Sequence, residues 1–287
     1  MDNSTEMSSA SFAFVRGEII PQEKAFLHIS DLSIQRGYGV FDFFKVSEEH
    51  PFFLNDYLDR FYHSAAVMRL EVPYVRRDLR TVITQLIRQN DLRESGVKMI
   101  LTGGYSRDGY QPGESSLIIT QQPLVLPGND LIDKGIKVIT YEYARDFALA
   151  KTINYTMGIW LSKLVADNKA SDVLYQKNGT VSEFPRCNFF IVRKDGTVVT
   201  PAENVLLGVT RMQVLNIASK HYRAETAAVT LADVRNAKEA FLTSTTKRIL
   251  PIIQVDDISI GDGNPGTVTV SLLNHLIEQE KADRERQ

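Results

Sequence analysis

Cysteine is almost missing: Cys187 is the only one in 287 residues. One thiol cannot build an internal disulfide framework, and its scarcity fits a reducing compartment. An excess of one charge sign is missing too, since 33 Lys and Arg face 35 Asp and Glu for a formal net charge of -2. A nucleic-acid or polyanion partner would need a basic surplus, so none is expected. No apolar run approaches the length of a membrane span. The opening MDNSTEMSSASFAFVRG has neither the basic n-region nor the apolar h-region of a signal peptide, which predicts a soluble cytoplasmic protein. The five histidines, His28, His50, His63, His221 and His275, are scattered without ligand spacing, so no metal is expected. GxGxxG and GxxxxGKS/T are both absent, which leaves dinucleotide and P-loop readings without support.

What is present is an ordinary globular composition, 43% hydrophobic and 24% charged, long enough for one large domain or two modest ones. Residues 1–10 are polar and Ser-rich and are expected to fray. FAFVRGEII and KAFLHI read as short strands, and Tyr38–Val46 as a longer strand rich in aromatic and β-branched residues. Asn55 is the expected N-cap of a helix burying Leu58, Phe61, Ala65 and Met68, with Arg60 off that stripe. A second helix is expected over Arg77–Gln89, inward at Leu79, Val82, Leu86 and Ile87. Strands Val97–Thr102 and Ser116–Thr120 bracket the loop GGYSRDGYQPGES, too long for a simple hairpin turn.

The stretch QQPLVLPGND at 121–130 carries two prolines and a glycine, and the strand-like GIKVITYEY follows it. The expected division is therefore a small domain at 1–122, a linker at 123–130 and a large domain at 131–287. In the second half a helix is expected over Met157–Lys169. Hairpins turn at Lys177-Asn178-Gly179 and Lys194-Asp195-Gly196, and a helix opened by Gly208-Val209-Thr210 buries Val214, Ile217 and Ala218. A strand at Ala224–Val229 precedes TLADVRNAK, and a strand at Ala240–Thr243 ends in the hydroxyls Ser244, Thr245 and Thr246. A terminal helix covers Thr267–Arg286. Strands and helices mix without a strict βαβ rhythm, which predicts an α+β fold with antiparallel or mixed sheets.

Several residues and motifs invite chemistry. Lys151 stands among Phe147-Ala148-Leu149-Ala150 and Ile153, and desolvation by such groups turns a lysine into a base or nucleophile. Its neighbours also suit a plain surface lysine at a strand end. Glu183 interrupts a strand pattern, and a carboxylate held there needs a cationic or hydrogen-bonding partner. That partner is a protonated heterocycle nitrogen, a nearby arginine, or an ordinary strand-end cation. Gly208-Val209-Thr210 offers the free N–H groups of a helix start to a phosphate, and Ser244 and Thr245 add hydroxyls, although both motifs also serve as caps and turns. Arg36, Arg107 and Arg186 could clamp carboxylates, or stand in solvent.

Taken together, K-T-I-N-Y at 151–155, T-V-S-E at 180–183 followed by Asn188, L-G-V-T-R at 207–211, T-S-T-T at 243–246 and Y-L-D-R at 57–60 agree in order and spacing with one family. The chain resembles the fold-type IV pyridoxal-phosphate enzymes from about Ala13 to the terminal helix. D-amino acid transaminases, branched-chain aminotransferases and aminodeoxychorismate lyases belong to that family. The resemblance implies a two-domain α+β fold, with a smaller N-terminal α/β sandwich and a larger domain built on a mixed, barrel-like sheet. It implies that Lys151 holds pyridoxal phosphate covalently and that Glu183 pairs with the pyridine nitrogen. Arg60, Val209, Thr210, Ser244 and Thr245 would take the phosphate, and Phe41 and Thr246 would border the substrate.

Departures from the family pattern bear on substrate. Phe184-Pro185-Arg186-Cys187 replaces a small Gly/Ser run, and Arg36 stands where branched-chain enzymes tend to carry an aromatic residue. The Arg-x-His carboxylate trap is missing from SRDGYQP, where Arg107 lies near the position and Tyr110 replaces the histidine. Arg36 and Arg186 are then the expected clamp for the substrate α-carboxylate, with Arg36 acting across a homodimer. The resemblance thus implies a transaminase moving the amino group of D-alanine or D-glutamate to a 2-oxo acid such as 2-oxoglutarate. The alternatives are a branched-chain L-amino acid transaminase, an aminodeoxychorismate lyase, and a non-catalytic carrier of the cofactor.

Overall fold

The computed structural model describes residues 12–285, so the expectations for residues 1–10 and for Arg286 lie outside the described residues. Two compact units are present. One holds the chain up to Val125 together with Ala150–Asn154, and the other holds Leu126–Leu149 and the chain from Tyr155 onward.

The first unit runs β1 (Phe12–Val15), β2 (Glu18–Pro21), α1 (Leu32–Arg36), β3 (Gly39–Ser47), β4 (His50–Pro51), α2 (Leu54–Val67), α3 (Arg76–Asn90), β5 (Glu94–Thr102) and β6 (Ser116–Pro123). Its sheet has the order β2-β1-β6-β5-β3-β4, every pair antiparallel. The β1–β2 hairpin turns on Arg16 and Gly17, both at positive φ, the geometry that matches the twist of paired strands. KAFLHI forms no strand: its Lys24 ends a 3-10 turn at Gln22–Lys24, and the rest is irregular chain. Asn55 does not cap α2: the cap is Phe53 in left-handed conformation, and burial of Leu54 draws the helix start earlier. On α3 the inward face is Leu79, Ile83, Leu86 and Ile87, with Val82 only half-buried.

The second unit runs α4 (Asn129–Lys134), β7 (Ile136–Glu142), α5 (Thr156–Trp160), α6 (Ser162–Asp167), β8 (Asp172–Lys177), β9 (Thr180–Val181), β10 (Asn188–Val192), β11 (Val198–Pro201), α7 (Val209–His221), β12 (Ala224–Ala227), β13 (Val229–Thr230), α8 (Leu231–Asn236), β14 (Glu239–Ser244), β15 (Arg248–Val255), β16 (Ile258–Ser259) and α9 (Thr267–Glu285). The sheet path is β12-β11-β10-β14-β15-β7-β8-β9-β13, with β16 paired to β15. Its two ends, β12 and β13, are separated by Ala228 alone, so the mixed sheet curls nearly shut. Phe184, Phe189, Ile191, Val199, Leu242 and Ile252 fill its inside, while Phe190, Phe241, Val214, Ile217, Leu272 and Leu276 pack under α7 and α9.

Asn178 and Gly179 both take positive φ at the tip of the β8–β9 hairpin, as an Asn-Gly turn requires. The helix expected over 157–169 is instead two short helices meeting at Leu161. Strand β15 has no counterpart in the sequence reading. Its Pro251 lies opposite Phe241 in mid-strand, a residue that argues against a central strand on local grounds.

Candidate active site

In the first unit, Ala150–Asn154 is laid as a strap along β3. Phe41 N–H donates to Lys151 O at 2.9 Å, Ile153 N–H donates to Gly39 O at 3.1 Å, and Thr152 bridges Val40. Gly39 makes this approach possible, since a Cβ there would meet Leu101 O at 2.7 Å and Ile153 Cδ1 at 3.1 Å. Lys151 N–H donates to Ser64 Oγ on α2 at 3.0 Å, and Lys151 Nζ lies 4.6 Å from the Phe41 ring centroid. The company of this lysine differs from what its sequence neighbours suggest: Phe147 and Leu149 are exposed, and Phe41 supplies an apolar face.

Arg60 precedes Ser64 by one turn of α2. Its Nε donates to Asp42 Oδ2 at 2.9 Å and its Nη2 to Asp42 Oδ1 at 2.6 Å. Asp42 follows Phe41 on β3 and is fully buried. The unit thus gathers Lys151, Phe41 and Arg60 on one pairing of strap, strand and helix. Arg36 lies apart from these, beside the 103–115 loop that carries Arg107 and Tyr110. The Arg36 guanidinium lies beside Gly109 in the 103–115 loop, and its Nη1 donates to Gln35 O at 2.9 Å. Asp108 braces that loop by accepting the Tyr110 and Gln111 N–H groups at 2.9 Å, and these bonds hold its carboxyl below the usual range. Among the described residues, none of the three bonds to Lys151, Phe41 or Arg60.

In the second unit Glu183 is 3% exposed. Its Oε1 accepts from Arg145 Nη1 at 3.0 Å, and its Oε2 accepts from Asn188 Nδ2 at 3.2 Å and Leu206 N–H at 2.9 Å. Asn188 Nδ2 also donates to Leu206 O at 2.8 Å, which ties the approach to α7 to this carboxylate. Gly208 caps α7 without a side-chain bond, so the helix's first N–H groups lack a side-chain cap. Across β10–β14, Asn188 faces Thr243, and Ser244, Thr245 and Thr246 follow at the strand's end. Burial pushes up the pKa of the Cys187 thiol, which directly precedes Asn188 in the chain. Thr243 Oγ1 is buried and, among the described residues, has no hydrogen-bond partner. Glu183, Asn188, Leu206–Thr210 and Thr243–Ser244 are therefore joined by one chain of bonds and strand pairing. Arg186 is exposed on the Phe184–Cys187 turn and, among the described residues, bonds none of them.

The sequence reading did not single out Asp42, Ser64, Arg145 or Asn188's bond to the carboxylate. Asp42 had a signal, an acid inside the apolar run YGVFDFFKV, and Glu183 had announced that it needed a cation. The strap assigned to the large domain from sequence belongs with the first unit, because its backbone bonds go to β3 and α2.

The steric demand at Gly208 is testable. An added Cβ would overlap Asn188 Oδ1, which cannot withdraw without giving up its amide's bonds to Leu206 and Glu183. Gly208→Ala is expected to cost about 1–3 kcal/mol, the usual range for overpacking a fixed core. Chemical denaturation would read this as a lower midpoint at unchanged slope, and a loss under about 0.5 kcal/mol would show that the loop relaxes freely.

Residues 39–255 match the family model for amino-transferase class IV, and the chain belongs to that family as a pyridoxal-phosphate-dependent aminotransferase of fold type IV. A D-alanine aminotransferase of Listeria monocytogenes serotype 4b is 29% identical over 274 residues, 92% of this chain and 94% of that one. A putative branched-chain-amino-acid aminotransferase of Methanocaldococcus jannaschii is 28% identical over 90% of this chain and 93% of its own length. A solved branched-chain amino acid aminotransferase of T.th. with pyridoxamine 5'-phosphate is 25% identical, with a TM-score of 0.89 over 96% of this chain and 95% of that chain. No helix among the described residues is long and apolar enough to cross a membrane.

Proposed function

We propose that this aminotransferase acts on D-amino acids, with D-alanine and D-glutamate as donors and a 2-oxo acid such as 2-oxoglutarate as acceptor. The observation that carries the donor class is Arg186, a solvent-facing guanidinium on the turn that follows Glu183. A cation there suits a carboxylate and is unfavourable for a branched apolar side chain. The likeness to D-alanine aminotransferases along nine-tenths of the chain supports the same reading. The branched-chain reading is favoured by the solved T.th. aminotransferase, which matches across nearly the whole chain.

Bound, pyridoxal phosphate supplies a carbonyl that exchanges with an amino group and an electron sink for the substrate Cα. Lys151 holds the cofactor covalently, and its Nζ moves the Cα proton. Glu183 presents its charge to the ring nitrogen. The first N–H groups of α7, at Val209 and Thr210, bind the phosphate with the hydroxyls of Ser244 and Thr245 and with Arg60. The donor set suits the cofactor: a buried ionisable acid, a helix start without a side-chain cap, and the orphaned Thr243 hydroxyl on the strand that pairs with Asn188. Arg36 and Arg186 clamp the substrate α-carboxylate, with Phe41, Arg107, Tyr110 and Thr246 around the substrate. The protein works as a homodimer, and the exposed Ile159 and Trp160 on α5 are an apolar surface that a second copy would cover. The cytoplasm is its compartment, in keeping with its single thiol.

The test is a half-reaction on the cofactor-loaded protein under anaerobic conditions. D-alanine or D-glutamate should convert the cofactor to its pyridoxamine form, seen as loss of visible absorbance, while L-leucine should not. Conversion by L-leucine alone would move the protein to branched-chain substrates. Pyruvate release from aminodeoxychorismate without an oxo-acid acceptor would make it a lyase.

A further inference from the structure

Glu183 is held asymmetrically. One oxygen takes two uncharged donors, Asn188 Nδ2 and Leu206 N–H, and the other takes the Arg145 guanidinium at 3.0 Å. Both members of the ion pair are shielded, with side-chain exposures of 13% for Arg145 and 4% for Glu183. A carboxylate this deep takes up a proton unless a charge opposes it, because burial disfavours its ionised form. Neutral donors orient it, but a cation adjoining it supplies the opposing charge.

Other titratable groups surround Glu183. Tyr175 pairs with it through the backbone, its N–H donating to Glu183 O at 2.9 Å. Burial chiefly raises the pKa of the Tyr175 phenol, Tyr143 and Asp172 raise it further, and Arg145 pulls against them. The Tyr143 and Tyr175 rings meet edge-on at 5.0 Å. Arg211 is a second buried guanidinium in the field of Glu183, but it bonds Thr200 Oγ1 at 3.2 Å and Pro201 O at 3.0 Å instead. Asp172 is engaged by Lys247 at 3.2 Å. Of the two guanidiniums, Arg145 is thus the one whose bond goes to the carboxylate itself.

We infer that Arg145 is a positioning residue of the reaction, an internal counter-ion that keeps Glu183 charged so that the proton shared with the cofactor's ring nitrogen stays on the nitrogen. The inference rests on the proposed role of Glu183. A neutral Glu183 acid would donate a hydrogen bond to the ring and leave it without a counter-charge, a weaker electron sink. Arg145 touches neither substrate nor cofactor in this scheme and acts through Glu183.

The experiment separates charge from hydrogen bonding. Arg145→Gln keeps a donor without charge, Arg145→Met removes both, and Arg145→Lys keeps charge. In cofactor-free protein carrying 13C-labelled glutamate carboxyls, the Glu183 resonance is identified by its loss in Glu183→Gln and followed against pH. The expected result is a titration midpoint raised by about 1–3 pH units in the Gln and Met variants and largely restored in the Lys variant. In loaded enzyme the neutral variants should lose about 10–100-fold in kcat with KM for the amino donor within about threefold. A midpoint that does not move in Arg145→Gln overturns the inference, even if that variant is less stable. Should Arg145→Met fail to fold, the comparison of the Gln and Lys variants decides the matter. Unchanged kcat in Glu183→Gln overturns it differently, by removing the role of Glu183 while leaving the titration result intact.

Discussion

Lys151→Ala is expected to abolish transamination, with turnover falling by about ten-thousandfold or more, the scale on which a covalent and proton-moving group contributes. The fold should survive the change. The strap is held by backbone groups, Lys151 O accepting from Phe41 N–H and Lys151 N–H donating to Ser64, and neither bond involves the side chain that is removed. The expected loss is chemical, and two measurements check it. Circular dichroism and the denaturation midpoint should match the parent protein, and a small primary amine added at high concentration should restore part of the proton transfer. Activity within about tenfold of the parent would remove Lys151 from its assigned role.

Asp42→Asn is expected to be the most destabilising single change of a polar residue in the first unit. Arg60 is 10% exposed at its side chain, and both of its bonds to Asp42 depend on a charged carboxylate for their full strength. Removing one member of a buried ion pair leaves the other uncompensated and costs about 3–5 kcal/mol. Asparagine keeps the shape and one acceptor, so the lower end of that range is expected. Cofactor affinity should fall as well, because Arg60 is the proposed phosphate ligand that Asp42 orients. Asp42→Asn combined with Arg60→Met should be more stable than Asp42→Asn alone, since the guanidinium parted from its buried carboxylate is then gone. A double variant no more stable than the single would show that the pair contributes shape and not charge.

Local rules made some of this structure legible and could not reach the rest. Asn178-Gly179 announces its turn because two consecutive positive φ values are cheap only for such residues. The inward face of α7, at Val214, Ile217 and Ala218, follows from the spacing of its apolar residues. Strand β15 was not legible, because its Pro251 reads as a breaker and only its neighbours β14 and β7 make it central. Phe53, in a left-handed conformation, starts α2 where the sequence offers Asn55, and this reflects burial of Leu54.

The site divides the same way. Glu183 and Asp42 stand out as acids in apolar strands, which says that each has a cation without saying which. Arg145 lies 38 residues from Glu183, and Arg60 lies 18 from Asp42. Ser64 lies 87 residues from Lys151. Strand periodicity fixes which way a side chain faces but not which segment arrives opposite it, and these partners are all of the second kind.

The strap also sets an order of events at the ribosome. Gly39 O and the Phe41 N–H on β3 acquire these partners only from Lys151 and Ile153, more than a hundred residues downstream. A chain emerging from its N-terminus therefore has β1 to β6 in hand while that row of β3 is still incomplete. The first unit closes only after 126–149, a piece of the other unit, has been made. Cleavage or expression at the 121–130 stretch consequently yields no finished N-terminal half: the fragment lacks its last internal segment, and with it the lysine on which the proposed chemistry depends.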